Sequence, residues 1–274
     1  MDWRDEGLLL SVRRHGESGA VIEALTAEHG RHAGLVHGGG GVRLSAVLQP
    51  GAQLSLEWRA RLEDHLGTYR VEPIRSRAAA SMVDRARLAG LNAMAAMVLA
   101  TVAEREPDTD LYRATVALAD SLAGSDPRWP AIYARWELAL LAALGFGLDL
   151  ARCAASGVRS DLAYVSPRTG RAVSRQAGSA WADRLLPLPG FLIDRGPVTM
   201  GAVREALRLT GYFLETWMLP AFGQEAMPQA RRHLLDVFER HEIPEGAGDA
   251  ESRDDEAEYH RAMGETREIR LPGG

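Results

Sequence analysis

Along residues 53–59 the apolar side chains Leu54, Leu56 and Trp58 alternate strictly with Gln53, Ser55, Glu57 and Arg59. Successive side chains of an extended strand point to opposite faces, so this segment predicts a β-strand with one face buried. Weaker runs of the same kind occupy residues 7–13, 20–26, 32–37 and 68–74, with turns marked by Gly16, Gly30, Gly51 and Gly67. Five short strands within residues 1–78 predict a small closed barrel of the OB or SH3-like kind.

Past Ser76 the period becomes helical. Residues 82–104 form one long Ala- and Leu-rich candidate, and residues 108–122 a second, with Leu111, Thr115, Leu118 and Leu122 on one face and Gly124 beyond its end. Asp126 can cap a third helix with Pro127 in its first position, where a missing N–H costs nothing. That helix is predicted to run to Leu144 and stop at Gly145. Leu138, Leu141, Leu144 and Leu148 recur at helical spacing, flanked by Leu140 and Ala143, so this stretch is apolar around most of its circumference and belongs in a core.

Gly, Ser and Pro then rise over residues 154–196, an irregular insertion with room for a hairpin. Helical spacing returns in Val203, Leu207, Thr210, Leu214 and Trp217, and again in Leu234, Val237 and Phe238 after Pro228. The pattern is of α+β class: a barrel over residues 1–78, an all-helical domain over 79–244, and an acidic, Gly-rich tail over 245–274 with few apolar anchors, expected to be disordered.

Composition narrows the chemistry. The 274 residues are 46% hydrophobic, as in a globular protein. The longest apolar run, residues 88–103, contains Asn92 and is shorter than the ~20 residues a bilayer span needs, so no membrane helix is expected. The start, MDWRDEG, lacks the basic and apolar regions of a secretory signal, which predicts a cytoplasmic protein. A single cysteine cannot form an internal disulfide. All 32 basic residues are arginine; the absence of lysine excludes Walker-type phosphate loops and Schiff-base enzymes. Arginine instead grips phosphate or carboxylate with a planar fork. The tail from Glu245 holds nine acidic residues and four arginines, so it carries the whole formal net charge of −5. The remaining body is neutral, and any nucleic-acid binding must come from local patches.

Three features invite a chemical reading. His37 to Gly41, HGGGG, looks like the oxyanion loop of esterases, but no G-x-S-x-G nucleophile elbow accompanies it. It reads as a flexible loop between strands, or as a loop that lets a phosphodiester approach beside His37 and Arg43. Cys153 is followed by Ala154, Ala155 and Ser156 rather than a second cysteine, so it reads as an unligated thiol near a helix end. Five of the eight histidines, His15, His29, His32, His37 and His65, mix with Arg13, Arg14, Arg31, Arg43, Arg59 and Arg61 in the strand region. They could form a cationic surface, although the carboxylates of that region balance its arginines. Trp58 and Tyr69 are candidate base-stacking groups, with the alternation placing Trp58 in the core.

The segments LTAEHGRHAGLVHGGGG and VLQPG, with YARWELALLAALGFGLDLARCAASG and the later LLPLPGFL, resemble the bacterial recombination mediator O family, RecO. The likeness runs from about Leu8 to about Glu242, and residues 136–157 are its most specific part. It implies an amino-terminal OB-fold followed by an all-helical domain, and no catalysis. It further implies binding of single- and double-stranded DNA, annealing of complementary strands, and replacement of single-strand binding protein by the RecA recombinase together with RecR, in the cytoplasm on the nucleoid. Arg13, Arg31 after Gly30, and His37 before Gly38 fall where the family commonly has Arg, Gly-Arg and Lys-Gly; Arg14 and Arg43 complete the candidate nucleic-acid-binding set. His37 departs from the family's lysine, and Arg43 is the candidate substitute for an arginine that usually follows it. Many relatives carry a four-cysteine zinc site. Here Cys153 stands alone, Ser156 occupies the second position and the segment at Val173 and Ser174 offers no ligand, so neither zinc nor another cofactor is expected. Arg135 lies beside the helix expected to receive the carboxyl-terminal tail of single-strand binding protein. The alternative is a protein-interaction adaptor with only minor DNA contact.

Overall fold

Three consecutive leucines, Leu8 to Leu10, interrupt the alternation expected of the first strand. In a computed structural model, which describes residues 1–62, 65–77 and 84–240, both faces of strand β1 (Asp2–His15) are covered there. Leu9 joins the barrel interior with Ile22, Ala24, Leu54, Leu56 and Trp58, whereas Leu8, Leu10 and Leu25 belong to the core shared with the helices. Leu10 is the extra residue of a bulge in the pairing of β1 with β2 (Gly19–Thr26), between Leu9 and Ser11. A bulge bends its strand, and this one lies just past Gly7 and Leu8, where β1 pairs with both β4 and β2.

The barrel is completed by β3 (Gly30–Val36), the short helix α1 (Val42–Ser45), β4 (Gln53–Arg59) and β5 (Thr68–Arg75). It closes in the order β1-β2-β3-β5-β4, with β3 and β5 parallel through Leu35 to Thr68 and Val36 to Tyr69. This Greek-key closure is that of an OB-fold and removes the SH3-like alternative. Strand β4 coincides with the alternating segment, while β1 extends beyond 7–13 at both ends. The predicted boundary at residue 78 and the predicted disordered tail from 245 lie outside the described residues.

Helix α2 (Arg85–Thr101) begins at Asp84, whose carboxylate accepts from the N–H groups of Ala86 and Arg87. The predicted helix over 82–104 is too long at its end: Glu104 leaves it to lie beside Arg31 as a β-bridge, and Met82 and Val83 lie outside the described residues. Helix α3 (Thr109–Ala123) is capped by Asp108 and stops at Gly124, as its sequence predicts. Helix α4 (Trp129–Ala143) starts later than expected. Asp126 accepts from the Arg128 N–H in the preceding turn, and Pro130 rather than Pro127 occupies the first helical turn. Gly145, with φ of +84°, ends it.

The insertion holds a three-stranded sheet, β7-β6-β8, made of β6 (Leu162–Val165), β7 (Ala172–Ser174) and β8 (Leu186–Pro187), with the single-turn helix α5 (Arg175–Gly178) after β7. Helix α6 (Met200–Phe213) passes through a π-turn at Leu214–Met218 into α7 (Leu219–Ala221), and α8 (Gln229–Arg240) packs along α2. A charged pair ties α4, α6 and α8 together. Arg231 Nε and Nη2 donate to Glu137 Oε1 and Oε2 at 2.7 and 3.0 Å, and Thr210 Oγ1 donates to Oε2. Both charged side chains are buried.

Beside the barrel's own interior core, a second core joins the outer side of the barrel to the helices, and polar bonds lock the seam. Arg77, buried, donates to Asp120 at 2.7 Å and to the Gly51 carbonyl at 3.1 Å, and Gln53 donates to the Tyr112 hydroxyl at 2.8 Å. Gly30 has φ of +65°, and a Cβ there would lie 2.4 Å from the Glu106 carbonyl oxygen, so only glycine allows the two backbones this approach.

Candidate nucleic-acid interface

One end of the barrel carries a group of exposed cations. Strand β1 delivers Arg13, Arg14 and His15 to the turn at Gly16, and the glycine run after β3 packs against that turn through a bond from Gly40 N–H to the Ser18 carbonyl at 2.9 Å. Arg14 Nη2 donates to the Gly40 carbonyl at 3.3 Å, which places its guanidinium on the glycine loop with no carboxylate bonded to it among the described residues. Arg43, the second residue of α1, is exposed and makes no ion pair with a described residue. His15 and His37 are exposed at the same end. Arg13 is exposed too, with a loose contact of 3.9 Å to Glu23.

Three amides of the glycine run are already spent on backbone carbonyls. The N–H groups of Gly39, Gly40 and Gly41 donate to the carbonyls of Val36, Ser18 and Gly38, so an approaching phosphodiester would not meet these three amides. A Cβ on Gly39 would lie 2.8 Å from that of Ala20; the small residue is there for packing against β2.

Arg31 is placed elsewhere. Its Nε donates to the Val102 carbonyl at 2.8 Å, and Nη1 reaches Glu23 at 2.5 Å and Glu104 at 3.5 Å. With Arg105 N–H donating to the Arg31 carbonyl at 2.8 Å, this residue fastens the barrel to the segment after α2 and has no guanidinium face turned to solvent for a phosphate. The five histidines do not form one cationic surface either. His29 stacks on Trp3 with ring centroids 4.0 Å apart and contacts Asp5 at 3.2 Å, while buried His32 meets Trp58 edge-on. Burial holds the His32 imidazole below its usual pKa, which keeps it neutral near pH 7. Trp58 and Tyr69 are buried in the barrel, so neither can stack on a base.

In the helical part, Arg135 Nη2 donates to the Phe191 carbonyl at 2.6 Å and to Asp194 at 2.8 Å, closing the loop that follows β8. An acidic ligand at Arg135 would meet a carboxylate already in place. Cys153 is buried, and its sulfur accepts the Ser174 N–H at 3.2 Å. Burial raises the thiol's pKa, but hydrogen bonds from Ser156 and Ser174 outweigh it and bring the group down to about 6. Among the described residues no group of three or more His, Cys, Asp or Glu side chains is placed to hold a metal ion. Serine hydroxyls and amide donors around one sulfur do not make the thiolate cage that zinc requires. No helix among the described residues is long and apolar enough to cross a membrane.

Sequence reasoning missed a cleft of about 410 Å³ between β1, the glycine loop and α1. The one available signal was Val42, an apolar residue after four glycines, which proves 91% exposed.

Comparison with known proteins accords with this architecture. Residues 1–77 match the family model for the recombination protein O N terminal, and residues 82–220 that for its C terminal. The DNA repair protein RecO of Cereibacter sphaeroides is 54% identical over 240 residues, covering 88% of this chain and 99% of the relative. The protein of the same name from Ruegeria sp. is also 54% identical over the same shares, and that of Jannaschia sp. is 49% identical over 249 residues, 90% of this chain and all of the relative. The two matched models divide the chain where the barrel gives way to the helices, and on these grounds the chain belongs to the RecO family of DNA repair proteins.

Proposed function

We propose that the end of the barrel bearing Arg13, Arg14, His37 and Arg43 binds single- and double-stranded DNA through the phosphate backbone and brings complementary strands together. In this reading the protein works in the cytoplasm on the nucleoid, with RecR, to replace single-strand binding protein by RecA, and it has no catalytic step. The observation that carries the reading is the cluster of exposed guanidiniums around the Gly16 turn, where Arg14 and Arg43 have no carboxylate partner among the described residues. Annealing needs little more than two polyanions held without mutual repulsion, and backbone contacts serve any sequence alike. Arg31 enters as the residue that holds the barrel in place.

Affinity for single-stranded DNA is expected to fall steeply with salt. Arg14→Ala with Arg43→Ala should weaken it for all sequences and reduce the slope of log affinity against log salt by about two. A fluorescence annealing assay, run with and without single-strand binding protein, reads the consequence; unchanged affinity and annealing in the double variant would remove this site.

A second reading, an adaptor with minor DNA contact, draws on how many barrel arginines are paired: Arg4 and Arg59 meet Glu57, and Arg70 meets Glu72. Capture of RecR or of the single-strand binding protein tail by a protein that does not anneal alone would favour it. The hydrogen-bonded sulfur of Cys153 supports a fold without metal. Elemental analysis of purified protein is expected to find no stoichiometric zinc, and one zinc per chain would overturn this.

A further inference from the structure

We infer that the cleft between β1, the glycine loop and α1 receives an unstacked base of a single strand, an inference that rests on the DNA-binding reading above. Half-buried Val12 and exposed Val42 give it accessible apolar surface, Ala20 and Leu48 lie buried at its floor, and Arg14 and Ser45 stand around it. Its volume of about 410 Å³ lies in the range of small-molecule sites, which are apolar with a few polar groups fixing the ligand. No acidic residue is among its lining residues.

Two observations select a base over other occupants. Val42 is 91% exposed beside the cleft and directly precedes Arg43, so an apolar contact and a free guanidinium sit one residue apart, as base and phosphate do along a strand. Arg14 lines the same cleft and is fixed there by its bond to Gly40, which leaves its remaining donors for a phosphate. The aromatic residues that could have stacked bases, Trp58 and Tyr69, are locked inside the barrel, so base contact on this face falls to the aliphatic cleft. A duplex keeps its bases stacked and can use only the arginines. The cleft therefore gives this surface a preference for single strands that charge alone cannot supply.

The test compares binding of the full chain to three probes: an oligothymidylate, a strand of equal length whose sugars lack bases, and a duplex. Wild type is expected to bind the oligothymidylate about tenfold more tightly than the abasic strand, as burial of a base against apolar surface allows. Ser45→Leu, which fills the cleft from an exposed position, and Val42→Ser, which strips its edge, should each bring that ratio towards one. Circular dichroism confirms that both variants fold. A wild type that does not distinguish the two strands, as expected if the cleft instead takes an apolar peptide, would overturn the inference, and so would a ratio that survives both substitutions. Either result leaves backbone binding intact. Failure of the underlying reading looks different: Arg14→Ala with Arg43→Ala would then leave all three affinities unchanged.

Discussion

Glu137 and Arg231 are separated by 94 residues, yet they form a two-pronged pair at 2.7 and 3.0 Å in the middle of the helical core. Two buried charges are costly to desolvate, and the pair is sustained by further bonds, Thr210 donating to Glu137 Oε2 and Arg231 Nη2 to the Leu207 carbonyl. Removing one partner strands the other. Glu137→Ala is therefore expected to lower stability by about 3–5 kcal/mol, read as a shift in the denaturation midpoint, whereas Glu137→Leu combined with Arg231→Met should cost much less. An equal loss in the single and double variants would mean that packing, and not charge, governs the site. Space for the guanidinium is made by Gly211, where a Cβ would lie 3.1 Å from Arg231 Nη2.

Elements are legible where their determinants are local. Asp108 and Gly124 bracket α3 within the sequence itself, and β4 alternates because its one buried face meets the barrel core. What escapes is whatever depends on a distant partner. The end of α2 was unreadable because Glu104 leaves the helix to meet Arg31 on β3, and the leucine run of β1 was ambiguous because its second face is covered by helices that come later. The same blindness applies to the site: exposed Arg13 and structural Arg31 look alike in a sequence. Their variants should separate them. Arg31→Ala removes the charged donor of Glu23 Oε2, leaving Ser11 on Oε1, and the donor of the Val102 carbonyl, and should lower stability by about 1–3 kcal/mol, while Arg13→Ala, losing only an exposed contact of 3.9 Å, should cost under about 1 kcal/mol. Equal thermal midpoints for the two variants would show that Arg31 does not fasten the seam.

At the scale of the whole molecule the charge is divided rather than balanced, since the formal net charge of −5 resides in residues 245–274 and the rest is neutral. If the barrel end binds DNA as proposed, its few guanidiniums give it a weak field, for which the acidic residues 245–274 would compete with DNA. Such competition is electrostatic and acts within about 10 Å at 0.1 M salt. Truncation after Pro244 is accordingly expected to raise affinity for DNA about severalfold at low salt, with the gain fading as salt rises. Anisotropy titrations of full-length and truncated protein across a salt series measure both effects. A gain that persists at high salt would point to steric occlusion instead, and no gain at any salt would leave the tail a solvated appendage without influence on the barrel.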